Sequence, residues 1–465
     1  MGMSDFIDLH GDPQSFGDTE AQREVRANDR GYVFHSWSAQ AKIDPLPIAK
    51  VDGVRVWDYD GNELLDFSCQ LVFTNLGHRH PKLIRAIKDQ LDRVPTIQPA
   101  FANDARGELA RRIVEKAFDG ARSVFFTNGG AEANEYAVRM ARQHTGRQKV
   151  LAAYLSYHGS TATAITMTGE PRRFANGVID PNVVHFHGPH LYRSSFYAET
   201  PQQEAERALE HLERTIQLEG PATVAAVILE TVVGTNGVLV PPPGYLRGVR
   251  EICDRHGVAL IMDEVMVGFG RTGEWFAFHA HGVTPDLVTF AKGVNSGYVP
   301  LGGVVISEAI HETFAERPFP GGLTYSGHPL GAAAGLATFD VFEEDGILEH
   351  VRDLGARVVE PRLRELAERH PSVGEYRGTG LFWALELVAD RETREPLVPF
   401  NATGDAAAPM NAVAAACKER GLWPFVAGNR LQLAPPLVIS QEDLVLGLDI
   451  IDRALTVADT YYTGS

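Results

Sequence analysis

Seven short apolar runs punctuate the middle of the chain, and helical spacing fills the gaps between them. They lie at Ser123–Phe126, Lys149–Ala153, Val183–Phe186, Ala225–Leu229, Ala259–Met262, Leu287–Phe290 and Gly303–Ile306. Strands that alternate with helices imply an α/β fold, with a largely parallel sheet covered by helices. Earlier, Lys50–Phe67 alternates polar and apolar positions and turns at Asp52-Gly53 and Asp60-Gly61. That is the pattern of small antiparallel strands joined tightly. After Gly331 the spacing predicts amphipathic helices over Gly331–Glu344 and His350–Glu368, with β-like runs at Leu381–Leu387 and Leu431–Leu433. Residues 1 to about 35 are polar and acidic, and read as an extended or helical arm. The expected division is an N-terminal arm with part of a small domain (1–75), a large domain (76–330), and the rest of the small domain, of α+β type (331–465).

Three of the apolar runs end in an ionisable residue. Val224-Ala-Ala-Val-Ile-Leu leads to Glu230, Val258-Ala-Leu-Ile-Met to Asp263 and Glu264, and Asp286-Leu-Val-Thr-Phe-Ala to Lys292. In parallel sheets such ends converge on one edge, so the three tips build one polar site. A buried lysine is costly to desolvate, so it is expected to have a chemical task there. A lysine able to form an imine, beside a carboxylate able to hold a pyridinium, points to pyridoxal 5'-phosphate (PLP). Ser123-Val-Phe-Phe-Thr-Asn-Gly-Gly130-Ala131-Glu-Ala-Asn134 passes from strand through a tight turn into a helix. Free N–H groups at Gly130 and Ala131 suit a phosphate there. Tyr157, in Tyr154-Leu-Ser-Tyr-His158-Gly159, offers a ring to stack on the cofactor, and Thr324 and its hydroxyl neighbours offer groups for its phosphate.

Composition narrows the field. The chain has 465 residues and a formal net charge of −17, which argues against non-specific affinity for nucleic acid or anionic membranes. A PLP-sensing DNA-binding regulator would need a basic helix-turn-helix, and the acidic first thirty-odd residues leave no room for one. Three cysteines, odd in number and far apart, draw no disulfide framework and fit a reducing compartment. With no apolar signal region and no run near the ~20 residues of a membrane span, the expectation is a cytoplasmic protein. Gly268-Phe-Gly-Arg-Thr-Gly273 matches a dinucleotide fingerprint but lacks the acid about twenty residues on. The paired histidines His78/His80, His185/His187 and His279/His281 lack metal-ligand spacing, and no metal is expected.

From Trp37 to the C-terminus the sequence resembles the class III (ω-type) PLP-dependent aminotransferases of fold type I. The resemblance rests on Thr127-Asn-Gly-Gly-Ala-Glu-Ala-Asn134, Tyr157-His-Gly159, Asp263-Glu-Val265 with Gly268–Gly273, Ala291-Lys-Gly293 with Ser296–Gly302, and Thr324-Tyr-Ser-Gly-His-Pro329. It implies a large domain with a mainly parallel seven-stranded sheet between helices, and a smaller α+β domain from the two chain ends. It also implies that Lys292 bonds the cofactor and is the catalytic residue, and that Asp263 holds the pyridine nitrogen. Val265 would pack behind the ring and Tyr157, followed by His158, in front. Gly130 and Ala131 would hold the phosphate, Thr324 would reach the phosphate of a neighbouring subunit, and Glu230 would line the substrate side. A homodimer with sites at its interface follows, or a tetramer of such dimers.

The implied reaction is ping-pong transfer of an amino group from an ω-amino acid or amine to pyruvate or 2-oxoglutarate. A lyase, racemase or decarboxylase on the same fold is the alternative. Trp37-Ser-Ala-Gln40, Phe67–Leu71, Gly380–Glu386 and Arg391–Pro396 are most similar to the taurine/2-oxoglutarate-type branch. Relatives grip a substrate carboxylate or sulfonate with an arginine near position 425, 427 or 432; this chain has Phe425, Ala427 and Gln432, with Arg430 close by. Those side chains cannot reproduce a bidentate guanidinium. Val72, Trp423 and Phe425 are therefore expected to form an apolar pocket for a hydrophobic amine, with Arg430 as the nearby cation.

Overall fold

A computed structural model of the chain describes residues 20–464. All seven central runs form strands of one sheet: β1 (Ala121–Thr127), β2 (Lys149–Ala153), β3 (Val183–Phe186), β4 (Val224–Glu230), β5 (Ala259–Asp263), β6 (Leu287–Phe290) and β7 (Gly302–Ser307). Their order is β1-β7-β6-β5-β4-β2-β3. β7 runs antiparallel to both its neighbours, and the other pairs are parallel. Helices on both faces explain why β4 and β5 are apolar without alternation, since every residue of each is buried. The helix Gly130–Thr145 lies close to the sheet through small residues at helical spacing, Ala133, Ala137 and Ala141, all fully buried.

The smaller sheets join the chain's two ends. Ile48–Asp52, Arg55–Asp58 and Glu63–Asp66 form an antiparallel meander, and Leu422–Trp423 adds to its edge parallel to Glu63–Asp66. A second sheet is built from Val373–Thr379, Phe382–Asp390, Arg430–Leu433 and Phe425–Ala427. The N-terminal arm contributes a helix at Glu20–Tyr32, and its first residues lie outside the described part.

The single helix expected over His350–Glu368 is in fact three segments: Ile347–Leu354, a π-turn at Gly355–Val359, and Glu360–Arg369. Pro361 has no N–H to bond back toward the preceding turn. At Gly355 a Cβ would meet the backbone of Gly380, so the helix is pinned against that turn where it widens.

His370, 3% exposed, ties the C-terminal helix Gln441–Asp459 to this region. Its Nδ1 lies 2.7 Å from Asp459 Oδ2 and its Nε2 2.8 Å from Asp452 Oδ1. Replacing His370 by Ala removes both bonds and is expected to cost about 2–3 kcal/mol, read as a lower urea midpoint.

Candidate active site

The convergence expected of the strand ends is present. β4 closes on Glu230 and β5 on Asp263, which sit side by side in the register of the two strands. The chain leaves β6 at Phe290 and reaches Lys292 two residues later. A cavity of about 330 Å³ opens there, and its walls include Gly130, Ala131, Tyr157, His158, Glu230, Asp263, Val265 and Lys292. Eight of the expected residues thus share one space.

Lys292 is held in a left-handed conformation, φ 43°, uncommon for a residue with a side chain. Such strain persists only where surrounding contacts enforce it. Here Gly293 lies so close to Asn75 and Phe269 that a Cβ would collide with both. Burial pushes the Lys292 amine below the ordinary lysine range, Asp263 and Glu230 oppose that, and Arg172 adds to it. The net effect favours the neutral amine, the form that accepts a proton or attacks a carbonyl.

Asp263 is 3% exposed, and both its oxygens are occupied. Oδ2 accepts from Asn134 Nδ2 at 2.8 Å and lies 2.8 Å from His158 Nδ1, while Oδ1 accepts from the Val265 N–H at 3.0 Å. Asn134 is itself fixed, because its Oδ1 accepts from Thr289 Oγ1 at 2.7 Å. Three donors on one carboxylate fix its direction. His158 therefore supports Asp263, and its other ring nitrogen is buried without a partner. Asn134 and Thr289 were not picked out from sequence. The one available signal was spacing, since Asn134 follows Gly130 by one helical turn and shares its face.

At the start of the Gly130–Thr145 helix no side chain caps the backbone, and the first backbone bond of its opening turn goes from Ala133 N–H to Gly129. The preceding N–H groups at Gly130 and Ala131 have no intrahelical partner, and both residues line the cavity. A Cβ on Gly130 would come within 2.6 Å of Val265 Cγ1. Gly130→Ala is therefore expected to weaken cofactor binding roughly tenfold by displacing Val265, as measured by cofactor release on dilution.

Among the described residues Glu230 has no guanidinium partner. Oε1 accepts from the Tyr157 N–H and Oε2 from the Gly234 N–H, each at 2.8 Å. Burial raises its carboxyl to about 7; nearby Asp263 also raises it, while His158 and the two amides pull it down. Thr324 is exposed and forms no part of its own chain's cavity wall.

The four residues expected at the substrate end are not in the cavity wall. Val72 is buried in an apolar cluster with Val232, Val267 and Phe382, and Phe425 packs against that cluster from outside. The ring of Trp423 carries Lys418 Nζ at 4.3 Å. Arg430 is packed against Gly237. Cavity residues in this region that sequence reasoning missed include Phe73, Thr235, Met266 and Leu301.

The cavity's donor set suits PLP: a buried lysine whose amine is shifted down, a carboxylate held by three donors, and a helix start with free N–H groups within one cavity. Comparison with known proteins points the same way. Residues 37–455 match the family described as Aminotransferase class-III. The chain is 35% identical to a taurine–pyruvate aminotransferase of Rhodobacter capsulatus, over 93% of this chain and 96% of that one. It is 36% identical to a putrescine–pyruvate aminotransferase of Pseudomonas aeruginosa, over 88% and 89%. A solved taurine:2-oxoglutarate aminotransferase from Bifidobacterium kashiwanohense, in complex with PLP and glutamate, superposes with a TM-score of 0.91 at 41% identity, covering 95% of this chain and 99% of that one. The chain belongs to the class III aminotransferases and is a PLP-dependent enzyme.

Proposed function

We propose that the enzyme moves an amino group from an ω-amino acid or amine to pyruvate or 2-oxoglutarate, in two half-reactions on one site. The observation that carries this reading is the placing of Lys292, with its amine biased toward neutrality, in one cavity with an Asp263 held by three donors. When bound, the cofactor supplies an aldehyde for the amine and a ring that spreads the charge left on the substrate carbon. Asp263 would hold the ring nitrogen in its protonated form, Gly130 and Ala131 would hold the phosphate, and Val265 and Tyr157 would flank the ring. Lys292 would then take the proton from the substrate carbon and return it. A donor supplied without acceptor should release one carbonyl product per site and no ammonia. Steady ammonia release would instead make the enzyme a lyase.

Glu230 sets a pH dependence. Its carboxyl is mainly protonated below about 7 and ionised above it. Raising the pH from about 6 to 8 adds a negative charge to the cavity wall, so donors with a second ammonium should gain kcat/KM relative to donors with a distal anion. Glu230→Gln should flatten that ratio across the same interval.

The exposed Thr324 supports a homodimer in which it serves the neighbouring cavity. Thr324→Ala should then loosen the cofactor without altering the fold. No described helix is long and apolar enough to cross a membrane, and three unpaired buried cysteines support a reducing compartment such as the cytoplasm.

A further inference from the structure

We infer that a second, smaller cavity behind Glu230 is a binding site for a monocarboxylate of two or three carbons, held by Arg193, Tyr245 and His190. The site stands on its own groups and does not depend on the transaminase reading.

This cavity holds about 70 Å³, beyond the ends of β2, β3 and β4 and beside the start of the helix Tyr245–His256. Glu230 belongs to its lining and to that of the larger cavity, so the two meet at that residue. Tyr154 and His187, both exposed and with rings 5.0 Å apart, mark its solvent side. Leu155, Leu229, Val233, Leu239 and Leu246 give much of the wall an apolar surface.

Three polar atoms on lining residues are buried without a partner among the described residues: Tyr245 Oη, His190 Nε2 and Arg193 Nη2. Buried polar groups are normally bonded, so three orphans at one cavity call for an occupant. Tyr245 is 2% exposed, and burial raises its phenol, which stays protonated and is a donor. Burial, and then Arg377, push the His190 imidazole down to about 3, so the neutral ring can donate through Nε2. Arg193 is held by donating from Nε to Glu386 and from Nη1 to the Arg394 carbonyl at 2.9 Å, which leaves its Nη2 edge free.

The surrounding charge is positive. Arg193 and Arg377 share Glu386, Arg377 also pairs with Glu375, and Arg430 has no carboxylate partner among the described residues. His190 lies at ligand distance from Glu375 and Glu386, but a divalent cation would meet this excess of arginines. An anion fits better. Water would satisfy the donors yet leave the leucine surface poorly covered. A carboxylate bonds Arg193 and Tyr245 through its two oxygens, while a methyl or ethyl group covers the apolar wall. Pyruvate, the proposed acceptor, is of this class, so an excess of it would enter here too.

Occupancy would be felt in the larger cavity through Glu230. Asp263, His158, Lys292 and the amides of Tyr157 and Gly234 act on that carboxyl from one side. Arg193, His190 and Tyr245 stand on the other. A bound carboxylate adds a like charge and raises Glu230 further, which moves the change in donor preference to higher pH.

The test is calorimetry on holoenzyme with sodium propionate, which has no amine or keto group to transfer. Tyr245→Phe should weaken its binding about tenfold and Arg193→Gln about thirtyfold, with Arg193→Lys between them. Neutral propionamide and six-carbon hexanoate should bind the parent at least tenfold more weakly than propionate. Tyr245→Phe removes one hydroxyl and should keep the parental unfolding midpoint, so it decides the matter even if Arg193→Gln fails to fold. Without propionate, its KM for propylamine and pyruvate should stay within about twofold of the parent. Absence of binding would leave the cavity to water and overturn the proposal. So would equal binding in Tyr245→Phe and the parent, or chloride displacing propionate at equal concentration. If propionate binds as expected but no donor yields a carbonyl product, the transaminase reading fails and the carboxylate site stands.

Discussion

Lys292→Ala is expected to lose amino transfer by about 10⁴-fold or more, in both half-reactions, while the protein stays folded. The chemistry needs an amine that gives up its proton readily, and burial shifts Lys292 in that direction. Among the described residues no second lysine lines the cavity to substitute. The fold should tolerate the change, because alanine carries the same Cβ as lysine at this left-handed position and the costly burial of an amine disappears. Thermal unfolding should therefore show a midpoint equal to or above that of the parent. Borohydride treatment followed by peptide mapping should label the parent at Lys292 and the variant nowhere. Labelling at any other lysine in the parent would displace Lys292 from its role.

The second large effect is Asp263→Asn, expected to slow the donor half-reaction by about 10³-fold. Asparagine has one acceptor oxygen where aspartate has two, and three donors converge on this side chain. Its amide NH₂ would meet either the Val265 N–H or, turned over, both Asn134 Nδ2 and His158 Nδ1, and the Thr289 bond prevents Asn134 from turning over. The variant therefore loses the carboxylate that would hold the cofactor's ring nitrogen in its protonated form, and the network around it is disrupted. Asp263→Glu should retain the charge but misplace it, with a smaller loss. Single-turnover rates with a fixed donor separate the two, and equal losses would show that geometry matters more than charge.

The core of the site was legible in sequence because its residues stand at ends. Glu230 and Asp263 close strands, Gly130 opens a helix, and Lys292 follows a strand, so each marks the place where an apolar run meets a polar residue. The seven strands were legible for the same reason, since runs buried on both faces carry a continuous apolar signal. Residues acting through their side chains from within elements were not. Asn134 and Thr289 look like ordinary polar positions on a helix and a strand, and only the fold brings them to Asp263. The substrate end was hardest to read. Trp423 and Phe425 lie in short strands outside the cavity wall, whereas Phe73, Thr235 and Met266, which line it, belong to turns with no periodic pattern. The broken helix at Gly355 was hidden because amphipathic spacing continues through it.

The strand order of the main sheet also constrains how the chain can be made. β1, first of the seven to leave the ribosome, pairs within the sheet with β7 alone, the last to do so. Until residues 302–307 emerge, the 121–127 segment has no neighbour in the sheet to bond, and the Asn128–Gly130 turn proposed to hold phosphate has no fixed platform. A nascent chain stalled before that point could join β2 to β6 but not β1. Ability to retain cofactor should therefore arise late and abruptly during synthesis, once the antiparallel strand slots between its two partners.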